Sequence, residues 1–157
     1  MYEEKIRFIN LFPNASQCIV QGKRLKLGEV TPYVKVGQGV NNISIQVITG
    51  HGKRILKKTI KIYEGETSSF AVCEKMHMPH LYRVEENPLV RRADKAYARF
   101  INFANEPVTI FRVSGEIVCS LRPYQIGKYL LAQEGGYVFE IGSEKGKSVI
   151  TCRFENN

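Results

Sequence analysis

The residues best equipped for chemistry crowd into one stretch, CEKMHMPHLY, from Cys73 to Tyr82. It holds two of the chain's three histidines (His77, His80), two of its three methionines (Met76, Met78) and one of its four cysteines. Soft thiolate and thioether donors suit Cu(I), and Cys with His suits zinc. Cys73, His77 and His80 are therefore the candidate metal ligands. A competing reading makes the run a loop around Pro79 whose methionines fill a seam. The demand of a metal for a complete, well-spaced ligand set weighs against the metal reading, and no cofactor is expected.

A second candidate is the basic run HGKRILKKTIK, His51 to Lys61. On a strand, Lys57 and Lys61 share the outer face, with Lys53 and Arg54 at the preceding turn. Lys53, Arg54, Lys57 and Lys61 form the candidate anion site, for phosphate or a polyanionic glycan. KRLK (Lys23–Lys26) can lie near it. The run lacks interleaved aromatics for stacking on bases, which disfavours nucleic acid without excluding it. A solvated face that keeps exposed strands soluble is the plainer alternative.

Catalytic constellations are missing. GHGK lacks the spacing of a phosphate-binding loop and is not followed by Ser or Thr. There is no G-x-S-x-G, no H-E-x-x-H and no paired-acid motif, so the expectation is a protein that is not an enzyme. Cys18, Cys73, Cys119 and Cys152 include no C-x-x-C pair, which argues against a zinc ribbon or a thioredoxin-like site. In a reducing compartment all four are free thiols, acting mostly as small apolar fillers.

The elements that position these groups are strands, and they repeat. R-F-I-N occurs at Arg7–Asn10 and again at Arg99–Asn102. GEVTPYVKVGQGVNNISIQV (Gly28–Val47) aligns with YQIGKYLLAQEGGYVFEI (Tyr124–Ile141), placing Tyr33 on Tyr129, Gly39 on Gly135, Ile43 on Phe139 and Ile45 on Ile141. GKRILKKTI then lies on GKSVITCRF, with Leu56 on Ile150 and Ile60 on Phe154. Such self-similarity means one supersecondary unit built twice. Ile43, Ile45 and Val47 alternate with polar residues, as do Leu56, Ile60 and Ile62, and no segment sustains a helical period. Short alternating strands separated by glycine-rich turns predict an all-β fold of β-sandwiches. Strands are expected near 5–11, 17–21, 24–27, 31–36, 42–49, 54–63 and 67–74. In the second unit they fall near 97–103, 107–113, 116–120, 126–131, 136–142 and 147–154.

GETSSFAVCE (Gly65–Glu74) has no counterpart in the second unit. The expected division is residues 1–75 for the first repeat, 76–96 for the connection and 97–157 for a second repeat lacking a final strand. The absent strand leaves an open edge after Phe154 that the first unit or another chain must cover. Arg7 and Arg99 are expected to make the same structural contact in each unit.

Charge is uneven. Residues 1–65 carry eleven Lys/Arg against four Asp/Glu, whereas residues 97–157 carry seven against six, within a net charge of +8. No apolar run approaches the roughly 20 residues of a membrane helix, so no membrane insertion is expected. MYEEKIRFINLF has acids where an export signal is basic, which predicts synthesis and residence in the cytoplasm if the chain is full length.

RFINLFPNA (Arg7–Ala15), IVQGK (Ile19–Lys23) and GEVTPYVKVGQG (Gly28–Gly39), with RFINFANEP (Arg99–Pro107), VSGE (Val113–Glu116) and GKYLLAQEGG (Gly127–Gly136), carry a resemblance. The chain resembles an uncharacterised bacterial family of tandem β-sandwich repeats opening with R-F-(V/I)-(H/N)-x-x-P-x-A. The resemblance implies two tandem immunoglobulin-like or transthyretin-like units and a place in a bacterial envelope or spore layer. For a signal-less member that layer is made by the mother cell. It implies no catalytic residues. The departures are the absent last strand and the Met/His content after Cys73. The resulting expectation is a structural or adhesive module, a homo-oligomer or the partner of an envelope protein. The alternative is a cytosolic binder of anionic ligands.

Overall fold

A computed structural model describes residues 3–86 and 95–155, and these are all-β. No helix among them is long and apolar enough to cross a membrane. The chain forms two compact units, residues 1–87 and 88–157.

The first unit has eight strands: β1 (Lys5–Asn10), β2 (Gln17–Val20), β3 (Lys23–Leu25), β4 (Val34–Lys35), β5 (Gly39–Thr49), β6 (Gly52–Ile62), β7 (Thr67–Lys75) and β8 (Met78–Glu85). They form two sheets, ordered β4-β1-β7-β8 and β3-β2-β5-β6. Period-two alternation turns one face of each sheet inward. Ile6, Phe8, Phe70, Val72 and Leu81 from the first sheet meet Cys18, Val20, Ile43, Ile45, Ile60 and Ile62 from the second in one buried cluster. Each large apolar side chain so buried contributes about 1.5–3 kcal/mol, which is what holds the sandwich shut.

After β6 the chain crosses to the opposite sheet. There β7 pairs in parallel with β1 from Lys5↔Thr67 to Asn10↔Val72, and its Phe70 ring lies 5.9 Å from that of Phe8.

The second unit has β9 (Ala96–Ala98), β10 (Val108–Arg112), β11 (Ile117–Leu121), β12 (Leu130–Ala132), β13 (Gly135–Ser143) and β14 (Gly146–Phe154). One sheet is ordered β11-β10-β13-β14, and β12 pairs with β9 in a two-stranded ribbon. Its contacts echo those of the first unit. Ile6↔Val34 corresponds to Ala98↔Leu130, and the isolated bridge Ile9↔Val30 to Ile101↔Ile126.

Buried Asn10 donates from Nδ2 to the Leu25 carbonyl, and its Oδ1 accepts from the Phe12 amide. Buried Asn102 donates to the carbonyls of Leu121, Arg122 and Glu106, and its Oδ1 accepts from the Ala104 amide. Thr31 N donates to Phe8 O in one unit and Gly127 N to Phe100 O in the other. A Cβ on Gly127 would stand 2.7 Å from that carbonyl oxygen, so this close approach requires glycine.

Two expectations need correction. Residues 78–85 are not part of a connection. They form β8, which returns along β7 from Lys75↔Met78 to Ser68↔Glu85. Met76 and His77 form the turn before β8, Ala96 already begins β9, and residues 87–94 of the expected connection lie outside the described residues. The repeat alignment also slips at the last hairpin. Gly39 pairs with Ile62 and Gly135 with Phe154, so Phe154 answers to Ile62 and Cys152 to Ile60. The hairpin of the second unit is two residues shorter in each arm, and its turn glycine misled the alignment.

Candidate functional site

The β7–β8 hairpin pulls the soft-donor residues apart. Cys73 and His80 are cross-strand partners, but Cys73 is 1% exposed and burial pushes its thiol up to about 12. His80 stacks beside Tyr82, with ring centroids 5.2 Å apart. Burial and then the charges of Lys75 and Lys58 lower its pKa. His77 sits at the exposed turn, where Nδ1 lies 3.1 Å from Glu74 Oε1 and its ring 6.3 Å from that of His51. No cluster of three or more His, Cys, Asp or Glu among the described residues could hold a metal ion. The three candidate ligands therefore do not converge, because strand pairing buries one, packs the second on a tyrosine and sends the third out on the turn.

The basic run is split as well. Along β6, Lys53, Lys57 and Lys61 share the solvent face with Ile55 and Thr59, whereas Arg54 has the parity of Leu56 and Ile60. Arg54 is thus removed from the stripe. The same outer face presents Arg24 on β3, Gln17 and Ile19 on β2 and Asn42, Ser44 and Gln46 on β5. It carries four cations and, among these strand residues, no acid.

The paired arginines stack on the paired tyrosines. Arg7 lies 4.5 Å from the ring centroid of Tyr33, and Arg99 lies 4.4 Å from that of Tyr129. In the first unit this stack joins β7 and β8. Arg7 donates to Ser69 Oγ at 2.7 Å and to Glu86 Oε1 at 3.0 Å, and the hydroxyls of Ser69 and Tyr33 donate to the same carboxylate. Burial opposes ionisation of Glu86, but those hydrogen bonds and the Arg7 charge outweigh it and hold its carboxyl below the usual range. Burial and the Glu86 carboxylate push the Tyr33 phenol up to about 12. Ser69 and Glu86 were not legible as partners of Arg7, because they lie 62 and 79 residues away in the chain.

The two units diverge where β7 lies in the first. Among the described residues, β9 is paired by β12 on one edge, and no strand lies on the other. That edge faces an aromatic group. Phe100 stands edge-on to Phe139 at 5.1 Å, Tyr137 stacks on Phe139 at 6.0 Å, and Phe154 lies 4.8 Å from Tyr137. Phe139 is buried, but Phe100, Tyr137, Ile141, Cys152 and Phe154 are half-buried. The counterparts of Phe100, Ile141, Cys152 and Phe154, namely Phe8, Ile45, Ile60 and Ile62, are buried, whereas that of Tyr137 is the half-buried Asn41. Among the described residues no strand lies beside β9 where β7 lies beside β1, and β14, which ends at Phe154, is the last strand of its own sheet. The difference follows from the crossover: β7 joins the sheet of β1, not that of β6. The second unit thus presents a partly covered apolar shelf.

No protein-family model matches the chain, and no curated protein matches it.

Proposed function

We propose that the chain is a non-enzymatic interaction module whose second unit is completed by a strand added along β9, from a second copy of the chain or from an envelope-type partner. The observation that carries this reading is that Phe100 and Phe154 are half-buried where the first unit buries Phe8 and Ile62, with Tyr137 beside them. A strand laid there would lie against Phe100 as Phe70 of β7 lies against Phe8. It would also cover apolar area at about 25 cal/mol per Å². The resemblance to tandem sandwich repeats of bacterial surfaces agrees with a structural or adhesive role in an envelope or spore layer.

The test is a peptide copying β7 and its approach, GETSSFAVCE (Gly65–Glu74), against a scrambled control under reducing conditions. The expected result is slowed amide exchange along β9, and a second unit stabilised by about 2.7 kcal/mol at 100 times the dissociation constant. Light scattering is expected to show dimers or larger species as concentration rises. A monomer at every concentration, with no peptide effect on β9 exchange, rejects the proposal.

A second reading has its own observation, the acid-free outer face of β6, β5, β2 and β3 with Arg24, Lys53, Lys57 and Lys61. We propose it as a surface for a polyanion, with amide and hydroxyl side chains between the cations. Retention on heparin should fall steeply with salt. Retention unchanged in Lys57→Glu/Lys61→Glu removes this reading.

A further inference from the structure

The first unit has a cleft of about 160 Å³ entering between its sheets beside β4. Ile6, Phe8, Val20, Ile43 and Val36 form its walls, and Lys23 and Asn41 stand among its lining residues. Its chemistry is two-part. The walls are aliphatic and aromatic, and the one charge lining the cleft is the Lys23 ammonium, with no acid among the lining residues. Lys23 has the parity of the inward-facing Leu25, at the start of β3, and pairs with buried Val20. A cation at that place is not required by the repeat. In the second unit Val20 answers to Ile110, and the partner of Ile110 is Cys119.

We propose that this cleft binds a small carboxylate whose body is one ring or a short branched chain. Apolar cavities of about 150 Å³ take up a single benzene ring, so the volume admits a body of that size and no larger. The body lies against Phe8, Val20 and Ile43, and the carboxylate pairs with Lys23. Apolar walls with a few polar groups among them, here Lys23 with Gln21, Thr31, Asn41 and Asn42, are the usual make-up of a small-ligand site.

The experiment is amide-resolved NMR titration of the whole chain with phenylacetate and 4-methylpentanoate, beside neutral benzyl alcohol and plain acetate. The proposal expects saturable shifts at Ile6, Val20 and Ile43 for the two amphipathic acids, and none there for acetate. Lys23→Gln should weaken the acids roughly five-fold, the upper worth of an exposed ion pair, and leave benzyl alcohol unaltered. Val36→Phe should fill the cleft and abolish both. Should that variant misfold, Lys23→Gln decides alone. Shifts elsewhere, no saturation by about 10 mM, where binding is weaker than the millimolar range, or equal affinity in Lys23→Gln, overturn the proposal.

Discussion

Phe8 and Phe100 occupy the same place in the two units, and truncating each to alanine measures whether the second unit is open. Phe8 is 4% exposed and is covered by Phe70 from β7. Phe100 is half-buried, touches Phe139 edge-on and has no described strand above it. A fully buried Phe→Ala change costs about 3–5 kcal/mol, from lost transfer energy and the cavity left behind. Phe8→Ala should fall in that range. Phe100→Ala in dilute monomer should cost about 1–2 kcal/mol, since part of its ring is already wet and the site can collapse. Native-state hydrogen exchange reads the units separately, with Ile45 reporting the first core and Ile110 the second. Adding the β7 peptide should raise the cost of Phe100→Ala toward that of Phe8→Ala and leave Phe8→Ala alone. Equal costs in peptide-free monomer would mean that the second core is already closed, and the case for a vacant strand position would fall.

Asn10→Ala should destabilise the first unit by about 1–3 kcal/mol, because the Leu25 carbonyl and Phe12 amide lose their partner in a buried site. Asn102→Ala should do the same to the second, both read by urea unfolding. At the β7–β8 turn, Met76 and His77 have φ of 52° and 61°, so Met76→Asn/His77→Gly should stabilise the first unit by about 1–2 kcal/mol in thermal melts. Burial pushes the Cys18 thiol up to about 11 and that of Cys73 up to about 12. Folded-state values above the unfolded one stabilise fully below the unfolded pKa. Stability should therefore fall from about pH 9 upward, by about 1.4 kcal/mol per pH unit per thiol, until each folded value is passed. A flat urea midpoint across that window, under reductant, would contradict it.

What was legible followed period two and glycine. Ile43, Ile45 and Val47 announced β5, and the shared R-F-I-N announced β1 and the matching contacts of Arg7 and Arg99. What was hidden was long-range or had the wrong local chemistry. The β7–β8 hairpin turns on Met76-His77, where two consecutive left-handed residues ordinarily call for Asn-Gly, so the turn read as the start of a linker. The hairpin also sets the three candidate ligands, placing Cys73 opposite His80 across the ladder and leaving His77 on the turn. Arg54 left the basic stripe by strand parity alone. That β7 joins the sheet of β1 and not that of β6 is a crossover that no local pattern in β7 records.

The contacts common to both units explain how the second holds its shape with no described strand in the place of β7. The buried asparagine, the arginine–tyrosine stack and the bridge at Ile9↔Val30 or Ile101↔Ile126 all tie the first strand to the segment before β4 or β12. None of these contacts involves β7 or β8. They form a corner that each unit builds from its own early strands, with backbone polar groups satisfied locally. β7 adds to that corner the apolar seal of Phe70 and Val72 and the Ser69 partner of Arg7, and the chain leaving β8 adds Glu86. Corner and seal are thus separable layers of the same unit. A partner strand arriving at β9 meets a register already set by Tyr97↔Leu131 and Ala98↔Leu130. Such a pre-formed edge avoids the ordering cost that a disordered acceptor would impose on binding. Substitutions in the corner, such as Asn102→Ala, should therefore weaken strand addition by unfolding the acceptor. Substitutions on the shelf, such as Phe154→Ala, should weaken it with the β9–β12 ribbon intact, and amide exchange at Leu130 separates the two outcomes.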